Sequence, residues 1–163
     1  MEKIWPALLA LLLGAACGTH QAAGPTTAAT AADVLGPEIQ SNDILAREPT
    51  TDRADVKHIL IGWGALAPAY QGDMDPRGLK RTRAEADALA VDILKQVRGG
   101  APIEPLMAEL SEDPGSAVDG SSYPVTADAN LVPEFKRLSL RLNVGEAGLV
   151  MTAYGWHIIQ RVK

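Results

Sequence analysis

A chain of 163 residues with a formal net charge of −5 has room for one ordinary domain and some additional length. The acidic balance argues against nucleic acid as the main partner, and a single cysteine excludes an intrachain disulfide. Apolar content is ordinary at 47%, but aromatic content is only 4%, so aliphatic side chains must build most of the core.

The first residues form a targeting pattern. Lys3 supplies positive charge, residues 7–13 an apolar run too short to span a bilayer as a helix, and Gly14-Ala15-Ala16 the small residues before Cys17. The arrangement resembles a bacterial lipobox, apart from Gly14, where a large aliphatic residue is usual. It implies a leader over residues 1–16 and a membrane anchor through lipidation of Cys17; an ordinary secretory leader with an incidental cysteine is the alternative. Gly18 after the cysteine, rather than Asp, implies an outer-membrane lipoprotein facing the periplasm. Residues 17–52 are rich in Ala, Thr, Gly and Pro and read as a flexible tether, because such a composition buries too little apolar surface to offset ordering. A short helix within residues 33–47 is compatible with Val34, Leu35, Ile39, Ile44 and Leu45, limited by Pro37 and Pro49.

The folded unit is predicted over residues 53–163. Residues 55–63 form a first strand, an apolar, β-branched run that carries His58. Residues 64–81 hold Pro68, Gly72, Pro76 and Gly78 and read as irregular. Thr82 and Glu85 make a capping box, and Ala86, Leu89, Ala90, Ile93, Leu94 and Val97 follow at helical spacing until Gly99-Gly100 ends the helix. A second helix begins near Ala101, with Ile103, Leu106, Met107 and Leu110 as its stripe. A sharp break at Ser111–Gly115 leads into a loop with a possible short strand at residues 122–125. A third helix starts at Pro133 with Phe135 and Leu138 inward. Residues 149–152 and 156–162 form a closing hairpin, and its second strand carries His157. The order β-α-α-β-α-β-β predicts an α+β fold, a small, mostly antiparallel four-stranded sheet flanked by helices. Of three histidines, His20 lies in the tether, whereas His58 and His157 sit in strands that would meet if those strands pair.

These residues together resemble the parvulin-type peptidyl-prolyl cis-trans isomerases, over about two thirds of the chain. The resemblance rests on His58-Ile59-Leu60, on Thr82-Arg83-Ala84-Glu85-Ala86, and on Ser111-Glu112-Asp113-Pro114-Gly115-Ser116. Leu131-Val132-Pro133-Glu134-Phe135 and Gly155-Trp156-His157-Ile158-Ile159 complete it in the family's order. One segment departs: where bacterial members carry Gly-Gly-Asp-Leu-Gly-x-Phe, this chain has Gly120-Ser121-Ser122-Tyr123-Pro124-Val125-Thr126. Tyr123 can replace the Leu by bulk, but Thr126 is a poor substitute for the Phe.

The resemblance implies a catalytic set of His58, Asp113, Thr152 and His157, with the two imidazoles hydrogen-bonded to each other. It implies a proline pocket lined by Tyr123, Leu131 and Phe135. Prolyl isomerisation breaks no covalent bond, so neither cofactor nor metal is expected; a metal triad of His58, His157 and Asp113 has no support in the spacing. The expected partners are unfolded or proline-containing polypeptides, in the cell envelope. Read without the family, the two histidines are satisfied core residues, Asp113 is a turn former, and Leu131 and Phe135 are ordinary core. The basic residues Arg77, Lys80, Arg81 and Arg83 read either as a subsite for an acidic residue before proline or as a solvated edge. A chaperone-like domain that binds unfolded chains with little isomerase activity is the alternative function.

Overall fold

The computed structural model describes residues 39–163; the leader, Cys17 and His20 lie outside the described residues. Four strands form one antiparallel sheet: β1 (Arg53–Ile61), β2 (Tyr123–Thr126), β3 (Ala147–Thr152) and β4 (Gly155–Arg161), in the order β2-β1-β4-β3. β1 and β4 are central and covered on both faces, which is why each reads as a nearly continuous apolar run instead of a clean alternation. Period-2 geometry still divides their side chains. Ile59, Ile61, Trp156 and Ile158 enter one core, while Val56 and Ile159 enter a second on the opposite face.

The first core is closed by α3 (Arg83–Arg98), which follows α1 (Asn42–Leu45) and α2 (Pro76–Lys80) in the chain. Its capping box forms as the sequence predicts: Thr82 Oγ1 accepts from the Glu85 amide, and Glu85 Oε2 accepts from the Thr82 amide at 2.8 Å. Ala86, Ala90, Ile93, Leu94 and Val97 are the buried stripe, joined by Ile103 and Met107 of α4 (Ile103–Leu110). The short α5 (Ser116–Asp119) precedes β2, and α6 (Pro133–Ser139) closes the second core with Phe135 and Leu138. Pro124 sits in β2, which is tolerated because β2 is an edge strand.

Two expectations change. The segment from Gly64 to Arg81 is not irregular throughout: Gly64–Tyr70 forms a 3-10 helix, and Asp75 caps α2 by accepting from the Arg77 amide at 2.7 Å. Asp75-Pro76 is an N-cap followed by a proline at the first helical position, a start signal masked by the surrounding breakers. The tether also ends before residue 52. α1 packs Ile44 at 1% exposure into the second core. The Ser41 amide donates to Leu149 O, and Ser41 Oγ accepts from the Leu149 amide, both at 2.9 Å. β3 is an edge strand whose outward backbone groups need partners, and this segment supplies them.

Candidate active site

His58 and His157 come from neighbouring central strands, and the register fixes their approach. His58 lies opposite Ile159 and His157 opposite Leu60, so the imidazoles are diagonal neighbours on one face. Their Nδ1 atoms are 3.2 Å apart, and the rings stack with centroids 5.3 Å apart. Phe135 of α6 meets both imidazoles edge-on, at 5.1 Å and 5.4 Å, and Tyr123 meets His58 edge-on at 5.1 Å. The β3–β4 turn that delivers His157 depends on Gly155, whose φ of 133° and closeness to Ile61 O leave no place for a Cβ.

The pair is one stretch of a longer chain of contacts. Thr152 Oγ1 lies 3.0 Å from His157 Nε2, and His58 Nε2 lies 3.3 Å from Asp113 Oδ2. The same Asp113 oxygen accepts from the Ser116 amide at 3.0 Å, Ser116 Oγ at 2.7 Å and the Tyr123 hydroxyl at 2.9 Å. The His58 and Ser116 bonds outweigh partial burial and hold the Asp113 carboxyl well below the usual carboxylate range. Burial and the neighbouring imidazole lower His157 to about 3. A charged Asp113 must accept, so His58 Nε2 carries a proton. When both rings are neutral, His157 Nδ1–H donates to His58 Nδ1, and the Thr152 hydroxyl donates to His157 Nε2. Every proton then points from Thr152 toward Asp113, and the Thr152 oxygen still accepts from the Tyr154 amide at 3.0 Å.

A cleft of about 460 Å³ opens beside the pair, lined by His58, His157 and Asp113 together with Tyr70, Gln71 and Tyr154. That volume lies within the range of small-ligand sites. The Tyr70 hydroxyl donates to Tyr154 O, tying the 3-10 segment to the β3–β4 turn across the cleft, and burial pushes this phenol up to about 12. Gln71 holds φ at 53°, the left-handed region, and is the one non-glycine residue that does so among the described residues.

A family model described as the PPIC-type PPIASE domain matches residues 42–163. The chain belongs to this family. The match begins inside α1, where the packing also begins. Among curated proteins, the chain is 33% identical to Chaperone SurA of Chromohalobacter salexigens over 106 residues, 64% of this chain and 21% of that protein. It is 33% identical to Chaperone SurA of Pseudomonas aeruginosa over 110 residues, 67% of this chain and 23% of that protein. The chain thus spans about a fifth of the length of these relatives. Among solved structures, peptidyl-prolyl isomerase ESS1 from Candida albicans matches with a TM-score of 0.57 at 22% identity, over 69% of this chain and 63% of that chain. The solution structure of TbPIN1 matches with a TM-score of 0.55 at 17% identity, over 70% of this chain and all of that one. The parvulin fold, an antiparallel four-stranded sheet with flanking helices, is therefore shared.

Within this PPIC-type frame, His58, His157, Thr152 and Asp113 form one contiguous set. Tyr123 touches it at His58 and Asp113 and Phe135 at both imidazoles, whereas Leu131 packs half-buried in the core cluster that holds Phe135 and Tyr123. None of these three is among the residues lining the cleft beside the imidazoles. Thr126 pairs with Arg53 at the far end of β2 and donates to Asp128, away from the set. The three arginines of the basic loop are spent internally, while Lys80 is exposed. Arg77 binds Asp75 and the carbonyls of Glu109 and Ser111, and Arg81 binds Gly62 O and the buried Glu112. Arg83 lies over the Trp63 ring. The sequence reading missed Tyr70, Gln71, Tyr154 and Ser116. Only Ser116 had a signal, an Asp followed three residues later by Ser, which is the spacing of a side-chain-capped turn.

Proposed function

We propose that this domain catalyses cis–trans isomerisation of X-Pro bonds in polypeptides folding in a bacterial envelope. The observation that carries the reading is the buried Thr152–His157–His58–Asp113 chain ending in a carboxylate at an open cleft. The barrier to rotation, about 18–20 kcal/mol, is the loss of amide resonance. Resonance puts negative charge on the amide oxygen, and twisting removes it. A fixed carboxylate beside that oxygen destabilises the planar amide more than the twisted one, and a partly dehydrated cleft strengthens the effect. The imidazoles contribute no charge when neutral; they hold Asp113 in place.

The leader and Cys17 support a lipid-anchored placement, with the Ala-, Thr- and Gly-rich segment after Cys17 as the tether. Palmitate labelling in a bacterial host is expected for the natural sequence and absent for Cys17→Ser; label that persists in the variant contradicts the anchor.

A second reading, a holder of unfolded chains with weak isomerase activity, is favoured by one feature. Tyr123 stands where the family carries Leu, and its hydroxyl engages Asp113. Refolding of a protein limited by a slow prolyl step separates the two. The isomerase reading predicts a faster slow phase at catalytic amounts of enzyme, where the uncatalysed step takes about 10–100 s. The holder reading predicts suppressed aggregation at stoichiometric amounts and an unchanged slow phase.

A further inference from the structure

The cleft beside the imidazoles does not end at Asp113. A second cleft, of about 490 Å³, abuts it and shares Asp73, Glu112, Asp113 and Pro114 with it. It runs on between α4 and α5, with Ala108, Ala117 and Val118 as its apolar lining. Val118 is 86% exposed, a large apolar side chain with little cover beside a concave surface. The charges at the junction are unequal. Arg77 is committed to Asp75 and two carbonyls, and Glu112 is committed to Arg81 and the Gly62 amide. Asp73 is exposed and has no side-chain partner among the described residues. Asp113 adds a second carboxylate at the same junction.

We propose that the two clefts form one extended groove for the polypeptide that carries the isomerised bond. The proline segment lies at the imidazole pair, and the flanking chain lies over Pro114 between α4 and α5. Asp73 at the junction selects basic over acidic flanking residues. The occupant is a polypeptide, since the second cleft is continuous with the first and gives a chain bound in one a path across the other. The choice of cationic side chains follows from charge: Arg77 and Arg81 are already paired, Asp73 carries a carboxylate with no side-chain partner among the described residues, and Asp113 adds negative charge beside it. This inference rests on the isomerase reading for its first cleft, and its test separates the two.

Three peptides suffice: an Ala-Pro tetrapeptide, a decapeptide with the same core flanked by lysines, and one flanked by glutamates. Both kcat/KM for isomerisation and binding by fluorescence anisotropy are measured with the full chain. The blocking variant is Ala108→Trp, an exposed helix position that fills the second cleft without entering the core. The groove predicts about a tenfold higher kcat/KM for the lysine decapeptide than for the tetrapeptide. Ala108→Trp removes that advantage and leaves the tetrapeptide rate unchanged. It also predicts about a threefold preference for lysine over glutamate flanks, the scale of an exposed ion pair, lost in Asp73→Lys. Equal rates for long and short peptides, or a long-peptide advantage that survives Ala108→Trp, overturn the groove. If none of the three peptides is isomerised, the isomerase reading fails, and anisotropy decides the groove alone: weaker decapeptide binding in Ala108→Trp supports it and unchanged binding overturns it.

Discussion

Burial lowers His157 to about 3 from an ordinary 6.5, since a charged ring would lose its water and lie against a second imidazole. The unfolded chain therefore binds a proton between those values that the folded chain refuses, and stability falls as pH drops from about 6.5. One such proton gives a slope of up to about 1.4 kcal/mol per pH unit. Asp113 acts in a lower window: its carboxyl is held below the usual range, chiefly by the His58 bond. Its contribution is therefore complete above about pH 4 and is lost below that. Urea unfolding at pH 7.5, 6.5, 5.5 and 5.0 should show a flat region followed by decline, and His157→Gln should remove most of the slope above pH 5. Equal slopes in the two proteins would contradict a His157 kept neutral by its surroundings. The sequence placed His58 and His157 in strands that would meet if they pair, but the direction of the protons came only from the two ends of the chain of contacts, the Thr152 hydroxyl that donates and the Asp113 carboxylate that accepts.

Elements signalled by their own residues were legible. The capping box of α3 and the β-branched runs of β1 and β4 name their structures locally, and the Gly155 turn fixes the register between β3 and β4. Elements that depend on distant partners were not. α1 is four residues long; the sequence offered a short helix within residues 33–47 but neither its bounds nor its docking, and it exists because Ile44 fills the second core and Ser41 satisfies the edge of β3. Tyr70 and Tyr154 were illegible for the same reason, because they meet across 84 positions through a loop and a turn. The docking of α1 has a direct consequence. Ile44→Ala in the full chain should lower the unfolding free energy by about 3 kcal/mol, the scale of a buried Ile-to-Ala change. A loss below about 1 kcal/mol would mean that α1 rests on the domain without supporting it.

Across the whole molecule, the sheet presents opposite faces to two tasks. The face under α3 is apolar and stabilises the fold, with Asp87 accepting from Trp156 Nε1 at 2.6 Å as its buried polar contact. The other face carries α6 over one half and, over the other half, the histidine chain beneath the cleft. Glu112 connects this face to the loop after β1: its carboxylate accepts from the Gly62 amide at 2.8 Å and its own amide donates to Leu60 O at 2.9 Å. The cleft is thus framed by loops pinned to a rigid sheet, an arrangement suited to the proposed rotation, whose transition state carries less charge on the amide oxygen than its ground state. The measurement that bears most directly on this account is exchange NMR spectroscopy of an Ala-Pro tetrapeptide with catalytic amounts of the full chain. The account predicts cis–trans exchange far faster than the uncatalysed rate with the natural sequence, and at least about a tenfold loss of kcat/KM in Asp113→Ala. Exchange at the uncatalysed rate with the natural sequence, in a protein that still binds unfolded polypeptide, would contradict it.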